Sequence, residues 1–201
     1  TLAAGQVMAV DCTATMSGPN LPPCDLSSGG TVVDTTGVIN STTSNGITVT
    51  GPAAGVRVSG QVNGTPAGVY VNAGASLAAI NVVSFLGSPA SVSGTDSGIF
   101  NAGSIGKIIN SGSISGGVGI TVAGTGKISE ISNSGSISGT SGAGIVVERG
   151  GIIETVNNLA GGSISSINVV DGAAISKGIT TAGNIGTIAN YGAILSETGT
   201  A

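Results

Sequence analysis

A ten-residue frame, I-x-x-I-x-N-x-G-x-I, returns along this chain with a regularity that few folds tolerate. One copy is Ile105, Ile108, Asn110, Gly112 and Ile114; the next is Ile128, Ile131, Asn133, Gly135 and Ile137. A later copy reads Ile185, Ile188, Asn190, Gly192 and Ile194. Between them, Ile153, Val156 and Asn158 open another copy before a two-residue insertion. The heptad NSGSISG stands unchanged at 110–116 and at 133–139. A repeat in this range of lengths is one supersecondary unit stacked on copies of itself.

The spacings inside the frame say what the unit is. From the second Ile onward the marked residues alternate at period two, which puts Ile, Asn, Gly and Ile on one face of extended chain. The first Ile precedes the second by three, which breaks the alternation and predicts a corner. A second signature, G-[IV]-x-[VT], follows each frame: GITV at 119, GIVV at 144 and GITT at 178, with earlier copies at 46, 55 and 68 and a variant, GIFN, at 98. Short strands joined by glycine corners predict an all-β, right-handed parallel β-helix. Seven to nine coils at ~4.8 Å would make a rod about 35–45 Å long. Asn at one position in successive coils would point inward and stack, each amide donating to the next carbonyl. Asn110, Asn133, Asn158 and Asn190 are the expected ladder. Gly two residues later would allow a turn at positive φ, and the intervening Ser residues would face solvent.

The pattern extends outward with less fidelity. Leu77, Ile80 and Val82 occupy the places of Ile, Ile and Asn in a later coil. In 150–177, either Ile153 and Asn158 or Ile164 and Val169 line the coil, the other stretch being an excursion. Residues 84–91, SFLGSPAS, look like a loop leaving the rod, with Pro89 unsuited to a central strand. Residues 1–30 break the pattern and are expected as an N-terminal cap, leaving 31–201 as the repeats. The last coil, stopping within a repeat, is expected to be open: the chain continues, or this end meets another molecule.

Glycine supplies 37 of 201 residues and charged residues only 7%, a composition that often accompanies disorder. Hydropathy argues otherwise, since disorder requires low hydrophobicity and high charge, whereas 40% of this chain is apolar. The net charge is −4 and the five cations never cluster, so no basic patch for nucleic acid exists. No apolar run approaches the roughly 20 residues of a membrane helix. Cys12 and Cys24 enclose a turn-rich loop and are expected to form a short disulfide of an oxidising compartment, with two free thiols as the alternative.

The chemistry of catalysis is thin. With no His, the commonest general base, zinc ligand and Ser–His arrangement are all missing, and no metal or other cofactor is expected. Nine carboxylates are scattered; Glu130 and Glu154 are the pair whose spacing suits neighbouring coils, as a sugar-cleaving acid and base would need. Their ordinary reading is two solvated surface groups. GSIGK at 103–107 and GTGK at 124–127 imitate phosphate loops without the following Ser or Thr. Regular T-x-T columns, which would suit ordered water, do not recur at coil spacing.

The units ISNSGSISG and GI-x-V resemble the passenger regions of bacterial autotransporters, over roughly residues 30–197. The resemblance implies export to the bacterial cell surface or medium, attachment through a C-terminal translocator barrel beyond this segment, and roles in adhesion or self-association. Partners would then be other copies of the chain, or protein or glycan on a host or neighbouring cell. The expectation is a non-catalytic structural and adhesive module. The alternatives are a subunit of a self-assembling extracellular filament and a carbohydrate-active β-helix enzyme.

Overall fold

A computed structural model describes residues 10–12, 15–33, 36–85, 87–181, 183–185, 188–190 and 193–194. The described chain contains no helix and winds into three parallel sheets that form the sides of a β-solenoid. The first sheet, of nine strands, includes Ile47–Val49, Ala67–Val71, Ser97–Asn101, Val118–Val122, Ile145–Val147, Ile167–Val169 and Ile188–Asn190. The second, of ten, includes Gly55–Val58, Ser76–Val82, Ser104–Asn110, Lys127–Asn133, Ile152–Asn158 and Ala174–Thr181. The third, of seven, runs from Val38–Asn40 through Gln61–Gly64, Ser91–Gly94, Ser113–Gly116, Ser136–Gly139 and Ser163–Ile164 to Asn184–Ile185. The chain visits second, third and first sheets in turn, so the seven strands of the third sheet mark seven complete coils.

The register shows why the sequence repeats. Ile105 pairs with Ile128 and that with Ile153, while Ile108, Ile131 and Val156 form the next column. Val62, Val92, Ile114, Ile137 and Ile164 stack on the third sheet. Ile47, Val69, Ile99, Ile120, Ile145 and Ile167 stack on the first. Nearly every one of these side chains is fully buried, in a single core cluster. Burying a Val or Ile side chain stabilises by about 1.5–3 kcal/mol, so a coil holds together only while its neighbours cover it.

Several expectations are refined by this geometry. The corner expected between the first and second Ile is a kink inside one seven-residue strand, Ser104–Asn110, whose Ile105 and Ile108 both point inward. The corner proper falls at Asn-x-Gly. There, Gly112 and Gly135 do not have positive φ, which is found instead at Gly74, Gly150, Gly161, Gly172 and Gly178, among others. Their reason for being glycine is proximity: a Cβ on Gly135 would strike the Gly112 carbonyl oxygen of the coil below, and one on Gly112 the Ala90 carbonyl oxygen. The G-[IV]-x-[VT] signature marks the first sheet at 46, 68, 98, 119 and 144, but at 55 and 178 it lies on the second, where Val56 pairs with Ile80 and Ile179 with Val156. Residues 150–177 contain no excursion. Ile153 and Asn158 line the second sheet, Ile164 the third and Val169 the first, all in one turn.

The loop expected at 84–91 is shorter at its far end: the connection between the second and third sheets lies between Val82 and Ser91, and Ser91 itself pairs with Gln61 and Ser113 in the third sheet. Phe85 and Ser88 close a small bridge there, and Phe85 is exposed. At the N-terminal end, the described part of 1–30 continues the same winding. Val10–Asp11 pairs with Cys24–Asp25 and Thr15–Met16 with Val32–Val33, while the third side shrinks to one bridge from Leu21 to Ile39. The expected capping strand otherwise lies outside the described residues, as does the expected open end at 195–201.

Candidate functional site

The interior was expected to carry an asparagine ladder. Asn110, Asn133 and Asn158 are paired in register on the second sheet and are buried. Asn110 Nδ2 donates to Asn133 Oδ1 at 2.7 Å, and Asn133 Nδ2 donates to Asn158 Oδ1 at 2.7 Å. The same amides tie the corners. Asn110 Oδ1 accepts from the Gly112 N–H, Asn110 Nδ2 also reaches the Ser136 carbonyl, and Asn158 Nδ2 donates to the Gly162 carbonyl. Among the described residues no buried side-chain polar atom lacks a partner. Asn190 does not continue the ladder: its backbone pairs with Val169 on the first sheet, and the position following Asn158 is Thr181. The last frame is threaded across different sides of the rod, with Ile185 opposite Ile164 on the third sheet and Ile188 opposite Ile167 on the first. Separately, a bulge lies in the second sheet, where Ile153 faces Ile175 but Thr155 faces Gly178.

One inward Asn belongs to no ladder. Asn101 is fully buried on the first sheet between Val71 and Val122, so it has no amide above or below. Its side chain turns to the corner instead, accepting from the Gly103 N–H and donating to the Lys127 carbonyl. The N-x-G at 101–103 is the sequence signal that would have found it.

Cys12 and Cys24 form a disulfide across 12 residues, with both side chains buried. In the chain-entropy account a loop of this size contributes up to about 3 kcal/mol. Because coils contact only their neighbours, reduction is expected to loosen the first coil alone. Limited proteolysis with and without reductant checks this: new cleavage should fall below residue 40, and cleavage spread along the rod would contradict it.

The outer surfaces of the three sides differ. The second carries charge: Lys107 Nζ lies 3.0 Å from Glu130 Oε2, and Asn157 Nδ2 donates to Glu130 Oε1. Glu130 is set against Thr155, not Glu154, so the register does not align the two carboxylates considered for acid–base work. The third side has no charged residue in its described strands. It presents Ser91 and Ser93, Ser113 and Ser115, Ser136 and Ser138, paired column on column. This S-x-S lattice recurs at coil spacing where T-x-T does not.

The first side holds a concavity lined by aromatic rings. The third residue of the signature points outward, and in two successive coils it is aromatic. Tyr70 and Phe100 pair in register and stack with ring centroids 4.8 Å apart and planes 8° from parallel. Beside them runs an open groove of about 280 Å³, floored by Pro66, Ala67, Val118 and the two rings, with Ser97 and Thr121 inside it. The Ser97 and Thr121 hydroxyls are buried and lie 2.8 Å apart, one donating to the other. Asp96 and Glu148 stand at the rim. Asp96 immediately precedes the strand Ser97–Asn101, and Glu148 immediately follows Ile145–Val147, two coils on. Both are exposed, and no Lys or Arg lines the groove.

These features define the class: a three-sided parallel β-solenoid with an internal asparagine ladder and chemically distinct faces. Comparison with protein-family models, with curated proteins and with solved structures finds no match to the chain.

Proposed function

We propose that the chain is a non-catalytic structural and adhesive module of an extracellular protein, a stretch of a surface-displayed autotransporter passenger. The observation that carries this reading is the stacking of coils into a rod with one side that is uncharged in its described strands and faced by serine over three successive coils. Such a rod holds shallow binding surfaces at fixed distances, and neutral hydroxyl surfaces suit partners met by many weak contacts. The disulfide supports an oxidising compartment. The repeated frame supports the passenger reading through its resemblance to that class, and the barrel that would anchor it is then expected beyond this segment.

The test has two arms. Beads coated with the purified chain should adhere to intact cells or to immobilised cell-surface glycans more than beads coated with an unrelated solenoid. In source cells, external protease should remove the chain without lysis. Equal adhesion of both beads would overturn the adhesive reading; protection from external protease would overturn surface display.

A further inference from the structure

We propose that the groove on the first side binds a β-linked glycan bearing free amino groups. The groove's two buried hydroxyls, Ser97 and Thr121, share one hydrogen bond, and the charged groups that it offers a ligand are the Asp96 and Glu148 carboxylates. Ionised carboxylates only accept hydrogen bonds. Donors on a ligand are answered there, and cationic donors gain most from two carboxylates with no basic residue in the lining. Arg149, next in sequence to Glu148, is directed to Asp171 at 3.7 Å. Anionic sugars are disfavoured by the same charges.

The floor sets the rest of the ligand. Pro66, Ala67, Val118, Tyr70 and Phe100 form an apolar strip that accepts a flat face carrying C–H groups. A pyranose has such a face and carries its donors around the rim. An extended basic peptide would lay backbone carbonyls over this strip and against two acceptors, leaving them unpaired at a cost. The carboxylates come from coils two apart and from opposite ends of their strands, so a single sugar would not reach both. The fitting occupant is an oligosaccharide with amino groups on successive residues.

This proposal deepens the adhesive reading by naming the ligand of one surface, and it is tested in solution, apart from display and adhesion. A β-1,4-linked glucosamine hexamer is titrated calorimetrically into the purified chain, alongside the N-acetylated hexamer and a lysine hexapeptide. The glucosamine hexamer should bind about tenfold more tightly than either, the equivalent of one charge-assisted contact. Asp96→Asn and Glu148→Gln, both exposed and compatible with the fold, should each weaken it about fivefold or more. Glu130→Gln on the second side should leave it unchanged. No binding of the glucosamine hexamer, equal binding of the acetylated hexamer, tighter binding of the peptide, or unaltered affinity in both groove variants would overturn the proposal. Bead adhesion that persists without hexamer binding would remove the groove and keep the adhesive module. Hexamer binding without bead adhesion would do the reverse.

Discussion

Asn133→Asp should lower the thermal midpoint by about 8–16 °C, the equivalent of about 4 kcal/mol in a chain of this size. Asn133 is the middle rung: it accepts from Asn110 and donates to Asn158, each at 2.7 Å, with its side chain fully buried. Aspartate keeps the acceptor and deletes the donor. It sets a carboxylate oxygen against the Asn158 oxygen and places a charge where no water reaches. The deficit should depend on pH in a definite sense. Burial raises the folded-state pKa of the introduced acid above its unfolded value, so between the two the folded state holds the extra proton and stability falls as pH rises. Acidification should therefore return part of the loss, because a protonated Asp can donate to Asn158 again. A melting curve within about a degree of the parent at neutral pH, or a deficit that does not shrink in acid, would show that the rung carries little of the core.

Gly135→Ala and Gly135→Asn should be about equally damaging, at roughly 3 kcal/mol or more. If this glycine served a left-handed turn, Asn would be tolerated better than Ala, since Asn visits positive φ far more readily. The obstacle is instead the backbone of the coil below: the Gly112 carbonyl oxygen and nitrogen and the Ser111 carbonyl carbon, with no flexible side chain among them. Gly161 is the contrast, at φ +80° with only the Ser134 carbonyl oxygen near, 3.8 Å from an added Cβ. Gly161→Asn should cost about 1 kcal/mol at most. Chemical denaturation of the three variants separates the two causes. A Gly135→Asn variant clearly milder than Gly135→Ala would restore the turn explanation.

The core was readable because it is periodic. Ile114, Ile137 and Ile164 stack because each ends a similar local pattern, the last after a two-residue insertion that the register absorbs at the corner. Asn110, Asn133 and Asn158 follow from the same rule. Asn190 fails because I-x-x-I-x-N can also arise when a chain turns from the third side to the first. Ile185 lies opposite Ile164 and Ile188 opposite Ile167, so a corner imitates the kinked strand. The groove was not readable at all. Its walls come from several coils, and its aromatic residues occupy a position that the repeat leaves free. The signature says only that Tyr70 and Phe100 point outward; the register alone says that they touch. The third-side lattice was closer to hand, written in Ser rather than Thr at 91, 113 and 136.

The backbone bonds between coils have a mechanical consequence. Ser134 N–H reaches the Asn110 carbonyl and Leu159 N–H the Asn133 carbonyl, so these links run along the rod from one turn to the next. Tension applied along the axis pulls on them lengthwise and a few at a time, as in unzipping, rather than loading a whole strand in shear. The rod should then yield by peeling single turns. Successive rungs are 23 and 25 residues apart, so each turn would release about 80 Å of slack chain at ~3.4 Å per residue. A tether built this way would pay out length in steps under flow while the turns behind the break kept their shape.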